Sequence, residues 1–335
     1  MIVVVGVIVV LIASSFGGGG SSTNAAQSRQ AAAAAHRRAA RAHRQPVASV
    51  RVSYRPLYSL PAPLRDPAYA TLPGGRFVTL GGLDSADVSS SEIQVADTHA
   101  VLHTAALPAA QHDAQAATIG NAVYVFGGGN ASELDHILRY DPSSGAVSQV
   151  GALSAPQSDA AVAGAGGTAY VVGGYDGTNY FNTIVGWRPG GAPTVEGHLP
   201  VGLRYAAVTI AGGGLIIIGG SSPAGATNGI YRFDLTTHRV TRIGVLPHPI
   251  THGNAATIGS TVYLVGGRGN ADTSQTTDVW AINPVTGHLT RAGHLPKPTS
   301  DAAVATIGNS IVIIGGLSGT ATLATVGELT PAAAG

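Results

Sequence analysis

Six positions spaced 46 to 49 residues apart carry side chains that could do chemistry together: Asp66, Asp113, Asp159, Tyr205, His252 and Asp301. Immediately before them stand Arg65, His112, Ser158, Arg204, Thr251 and Ser300. If the fold brings these positions to one point, four carboxylates, an imidazole and a phenol converge, a set able to hold a cation or a polar ligand. The competing reading is structural: an Asp before a strand often accepts backbone N–H bonds and orders its own turn. A purely structural position would favour Asp six times. The pairs that break the pattern, Arg204-Tyr205 and Thr251-His252, are therefore where a function would be grafted.

A second candidate group lies in YDGTNYFN (175–182), where Tyr175, Tyr180 and Phe181 could stack on a sugar ring or a partner surface, or pack the loop onto its own sheet. Asn270, Asp272 and Asp278 lack the spacing of a calcium loop. Of the 12 histidines, His99, His238 and His288 fall in turns expected at the opposite end of the repeat, and His136, His198 and His294 are isolated. No HExxH, GxSxG, P-loop or dinucleotide fingerprint is present, so no cofactor is expected. The absence of cysteine excludes disulfides and thiolate metal sites.

Those residues must be positioned by a chain that is 44% hydrophobic, 10% charged and holds 47 glycines in 335 residues. Many short strands joined by tight turns suit such a composition better than helices. The net charge of +1 conceals a division: residues 1–47 carry five arginines and no acid, while the remainder sets 13 basic against 17 acidic residues. A weakly acidic body argues against nucleic acid as the partner, since phosphate binding needs clustered Lys and Arg.

Glycine pairs close an apolar run at 81–82, 127–128, 173–174, 219–220, 266–267 and 315–316. A period this regular signals a repeat architecture. Each unit begins with a small-residue strand such as DAQAATIG (113–120), followed by an apolar strand, AVYVFGG (122–128), ending in the glycine pair. A variable polar loop leads to a third strand, HILRYDP (136–142), and a turn to a fourth, AVSQVGAL (146–153). Four strands without helical spacing make one propeller blade, and six copies predict an all-β, six-bladed β-propeller. The small first strand must be innermost, where blades crowd together. The last unit lacks a fourth strand, and ASVRVSYRPLYSLPAP (48–63) supplies one, so the N-terminal strand is expected to close the final blade beside 321–329.

The unit resembles a kelch motif: Tyr124, Tyr170 and Tyr263 in the second strand, the double glycine, and an aromatic before Asp-Pro at Tyr140-Asp141-Pro142. The resemblance covers roughly 48–335. The family's fourth-strand Trp is replaced by Val147, Val240 and Leu289, and its second-strand Tyr by Val78, Ile216 and Val312. These apolar exchanges keep the packing but loosen the transfer of any particular function. The resemblance implies a binding or scaffold module for a protein or an envelope glycan, using the face where the loops into strand one and between strands two and three emerge. Two alternatives are a carbohydrate-active enzyme of the sugar-isomerase kind, with His252, Arg204 and the Asp ring in acid–base roles, and a calcium-dependent hydrolase of the lactonase kind. The copper-oxidase members use a Tyr joined to a Cys, which this chain lacks.

The opening MIVVVGVIVVLIASSF (1–16) reads as a hydrophobic helix, either a signal-like segment or a membrane anchor, although no basic residue precedes it. Residues 17–47 read as a Gly/Ser tether running into a short Ala/Arg helix. These expectations place a monomeric propeller, 48–335, outside the cytoplasm, anchored to the cell membrane or, if the segment is cleaved, secreted.

Overall fold

Narrow apolar strands punctuated by glycine turns bury little as a single sheet and must stack sheet against sheet. The computed structural model, which describes residues 51–332, does this with six four-stranded antiparallel sheets around one axis. Blade 1 runs outwards from the axis through Ala68–Leu72, Arg76–Leu80, Ser90–Ala96 and Val101–Gln111. Blades 2 to 5 repeat that order from the inner strands Gln115–Ile119, Ala161–Ala165, Ala207–Ala211 and Asn254–Ile258.

Blade 6 takes Ala303–Ile307, Ser310–Ile314 and Thr325–Pro331 from the C-terminal end and Val52–Ser59 from the N-terminal end as its outermost strand. The clasp is antiparallel and pairs Val52 with Pro331, Tyr54 with Leu329 and Ser59 with Thr325. Pro56, which has no N–H to give, sits in this outer strand beside the register irregularity, where its loss is tolerated. The third strand begins at Thr325 rather than in the 321–322 region because Leu317–Ser318 and Ala321–Thr322 form a separate hairpin turning at Gly319, φ +60°. Blade 4 carries a matching hairpin, Ser221–Ser222 with Gly225–Ala226.

Small residues line the inner strands as crowding demands: Ala68, Ala116, Ala161, Ala207, Ala255 and Ala303 are all buried. Larger side chains fill the widening gaps outward. Trp187 of blade 3 is 1% exposed and packs on Tyr124 and Phe126 of blade 2 at ring distances of 5.0 and 5.5 Å. The glycine pairs join neighbouring blades. A β-carbon on Gly127 would stand 2.2 Å from the Gln157 carbonyl oxygen, on the segment leading into blade 3. The amide of Gly128 donates to that same carbonyl at 2.9 Å. The contact recurs at every blade and ends at Gly316, whose amide donates to Leu64 at 2.8 Å.

The hydrophobic segment 1–16 and the linker 17–47 lie outside the described residues. Among the described residues, no helix is long and apolar enough to cross a membrane.

Candidate functional site

The residues before the inner strands share an uncommon backbone: φ is 53° at Asp66, Asp113 and Tyr205, 55° at His252, 59° at Asp159 and 60° at Asp301. The left-handed region costs an L-residue about 1–2 kcal/mol, least for Asp, so something must hold all six there. What holds them is a closed ring of backbone hydrogen bonds around the channel mouth. Asp113 donates to the carbonyl of Asp66, Asp159 to Asp113, Tyr205 to Asp159, His252 to Tyr205, Asp301 to His252 and Asp66 to Asp301, at 2.9–3.2 Å.

That ring corrects the structural reading of the aspartates. Their own amides are spent on the neighbouring blade, and among the described residues no backbone amide donates to the four carboxyls. The side chains instead line one cavity of about 40 Å³ together with Tyr205 and His252. The six aligned positions do converge, as their spacing implies.

Each carboxyl meets a different partner. Arg65 bonds Asp66 at 3.2 Å and Asp87 at 2.5 Å. Ser300 donates to Asp301. His112 Nε2 lies 3.7 Å from Asp113, while its Nδ1 meets the Ser89 hydroxyl at 2.9 Å. Asp159, whose side chain is 1% exposed, is ion-paired with Arg204. Burial, then mutual repulsion, makes the cluster hold protons: Asp113 is pushed up to about 6 and Asp159 to about 7. Asp66 is raised well above the usual carboxylate range by burial and by the charges of Asp301 and Asp113. Among the described residues no group of three or more His, Asp or Glu side chains is arranged to hold a metal ion.

The blades that break the Asp pattern form one connected structure. Arg204 lies over Tyr175 at 4.3 Å, Tyr205 at 4.7 Å and Tyr180 at 5.8 Å. Its Nη2 donates to the Tyr205 hydroxyl at 3.1 Å. Tyr205 stacks on His252 with ring centroids 3.6 Å apart. Burial, then the charges of Arg268, Arg204 and Arg65, holds the His252 pKa well below the ordinary value, leaving the imidazole neutral. His252 Nε2 stands 3.1 Å from Arg268 Nη2 and must accept there, so the proton sits on Nδ1 and is donated to Thr251 Oγ1 at 3.0 Å.

This structure floors a cleft of about 400 Å³ that opens on the same face as the mouth. Tyr180, Arg204, Tyr205 and His252 line it, with Arg268, Asn270 and Asp272 from the loop of blade 5. Tyr175 does not line it. Its hydroxyl is tied to the Gly177 carbonyl at 2.7 Å, and its ring packs edge-on against Tyr180, so it supports Arg204 from beneath.

Sequence reasoning passed over Arg268, Tyr69 and Asn254. Arg268 follows the glycine pair where the other blades have Leu83, Gly129, Tyr175, Ser221 and Leu317, and a lone charge there was the available signal. Tyr69, an aromatic in an inner strand otherwise built of small residues, reaches across from blade 1 to donate to Asn254 of blade 5 at 2.9 Å. Below that chord the channel continues as a separate space of about 220 Å³ lined mainly by Ala, Thr and Val.

Residues 112–154, which span blade 2, match the kelch motif. No curated protein matches the chain. Among solved structures, the fold is similar to that of YjhT, with a TM-score of 0.69 and 19% identity, covering 80% of this chain and 95% of that one. At that identity the likeness is one of fold alone.

Proposed function

We propose that this kelch-type six-bladed propeller is a binding or scaffold module that presents its channel-mouth face to a protein or an envelope glycan. The observation carrying this reading is the cleft over blades 3 to 5. There the two loops that break the sixfold pattern meet a third in an open polar surface with aromatic walls. Asymmetry confined to one sector of a symmetric scaffold suits recognition better than architecture.

Catalysis is the weaker reading for a stated reason. The groups with proton affinities near neutrality, Asp113 and Asp159, line a cavity of about 40 Å³, room for about one water. A sugar ring resting in the cleft would not touch them. An acid–base role would fall to Tyr205 or His252, and burial raises the phenol well above its ordinary value while the imidazole is already committed at both nitrogens.

The hydrophobic segment 1–16 supports anchoring in the cell membrane with the propeller outside the cytoplasm, or secretion if it is cleaved. The weakly acidic body supports a partner other than nucleic acid. The test is binding of the purified chain to a glycan array and to envelope extracts, repeated with Tyr180→Ala. Specific binding lost in the variant supports recognition by this face. Binding that survives Tyr180→Ala and Arg268→Gln unchanged would place the partner elsewhere.

A further inference from the structure

We infer that the cleft between Arg204 and Arg268 binds a small oxyanion, the carboxylate or phosphate group of a larger ligand. This deepens the proposed function and rests on its assignment of the cleft as the binding surface.

The cleft has a guanidinium on either side of the stacked Tyr205 and His252. Neither is saturated: of five N–H groups each, Arg204 spends Nη2 on Tyr205 and Asp159, and Arg268 gives one hydrogen each to His252 and Asp272, so Nη hydrogens remain on both. Thr251 Oγ1 accepts from Ser221 Oγ at 2.9 Å and from His252 Nδ1, so its own proton remains to be given. Asn270 spends its Oδ1 on the Ala226 amide at 2.6 Å, which leaves its Nδ2 hydrogens. Among the described residues the one carboxylate lining the cleft is Asp272, 85% exposed and already bonded to Arg268 at 2.6 Å. Donors therefore exceed free acceptors, and a bound group must be rich in acceptors. Planar guanidinium donors match carboxylate and phosphate oxygens best.

The electrostatics agree. Both arginines depress the His252 pKa, which shows that their fields overlap at the cleft floor. The size argues for an anionic group on a larger body. An oxyanion fills a fraction of 400 Å³, and the Tyr180 ring offers a wall to the remainder.

The experiment titrates the purified full chain with sodium phosphate and with sodium acetate at constant ionic strength, by calorimetry, with chloride as the control. Saturable binding of one oxyanion is expected, and which one binds separates a phosphate from a carboxylate ligand. Arg268→Gln should weaken it about tenfold or more, the scale of a charged hydrogen bond. Asn270→Asp, at an exposed position that the fold tolerates, should abolish it by placing a second carboxylate in the cleft. Arg232→Gln, at the far end of blade 4 where Arg232 pairs with Asp234, should bind as the wild type. Saturation by neither oxyanion, or wild-type binding in both cleft variants, overturns the inference. If that happens while Tyr180→Ala still abolishes capture of the glycan or protein, the inference fails alone. If Tyr180→Ala also leaves capture intact, the assignment of the face fails with it.

Discussion

The Tyr205 hydroxyl donates to Asp113 Oδ2 at 3.3 Å, tying the loop that enters blade 4 to the loop that enters blade 2 across the head of blade 3. The same oxygen accepts from Arg204, so one phenol joins a proton-holding carboxyl to the guanidinium that borders the cleft. Tyr205→Phe keeps the stack on His252 and removes both bonds. The expected loss of stability is about 1–2 kcal/mol. The hydrogen bond from Tyr205 also draws the Asp113 pKa downwards, so in the variant Asp113 should titrate above its value of about 6. Carboxyl-carbon NMR across pH 4–8 checks this, and an unchanged Asp113 titration would refute it.

Proton retention at Asp159 makes stability depend on pH with a definite sign. The native carboxyl holds its proton up to about 7, whereas an unfolded Asp releases it near 3.9. Between those values the native state binds more protons, so this contribution is full below about pH 4 and is lost as pH rises through about 7. His112, His136 and His252 act oppositely, because burial holds them below the ordinary imidazole value and stability is lost as they are forced to charge. The difference between the wild type and Asp159→Asn cancels the His136 and His252 terms, and leaves only the part of the His112 term that the Asp159 charge itself supplies. The wild type should gain on the variant as pH falls from 8 to 5, by at most about 1.4 kcal/mol per pH unit. Urea unfolding at four pH values measures it, and a flat or reversed difference would contradict the assignment.

The glycine pairs make a prediction by contrast. Gly120 and Gly127 have nearly the same left-handed φ, 61° and 57°. A β-carbon on Gly120 meets nothing within 4 Å, while one on Gly127 meets the Gln157 carbonyl oxygen at 2.2 Å. Gly120→Ala should cost about 1 kcal/mol, the backbone strain alone. Gly127→Ala should cost about 3 kcal/mol or more, because the seam between blades must also open. Equal costs in denaturant melts would mean that the pair serves turn geometry rather than blade contact.

The extent to which the sequence foretold these features follows from what a repeat can and cannot encode. The interval between glycine pairs carried the blade count, and the unmatched third strand near 325 carried the clasp, because period and strand number are properties of the chain alone. The six mouth positions were also legible as a column of residues. Their backbone ring was not, since Asp, Tyr and His share no propensity that announces a common left-handed φ. Arg268 and Tyr69 escaped for another reason. Each acts through a partner far away in sequence, Arg268 on His252 and Tyr69 on Asn254, and only the closed ring brings them within reach. For Tyr175 the sequence left ligand stacking and packing of the loop both open, because an aromatic loop does not reveal which ring lies under Arg204.

The clasp sets how far the N-terminal end can be shortened. Removing residues 1–48 leaves the unit 49–335 with every strand of its six blades, and it should unfold cooperatively at the wild-type Tm. Removing residues 1–59 deletes the outer strand of blade 6. It strips cover from Val326 and Leu329, now 1% and 0% exposed, and opens the whole edge of Thr325–Pro331. Burying two such side chains is worth about 1.5–3 kcal/mol each, and the lost ladder adds an unpaired edge prone to association. Against a typical domain stability of about 5–15 kcal/mol, that loss should give a broadened, lower transition or aggregation. The exposed ion pair in the same clasp, Arg55 with Glu328 at 2.6 Å, should matter far less. Arg55→Ala should cost under about 1 kcal/mol. Calorimetric melts of the three variants decide the matter: a 60–335 chain that melts like the wild type would show that the ring closes without its N-terminal strand.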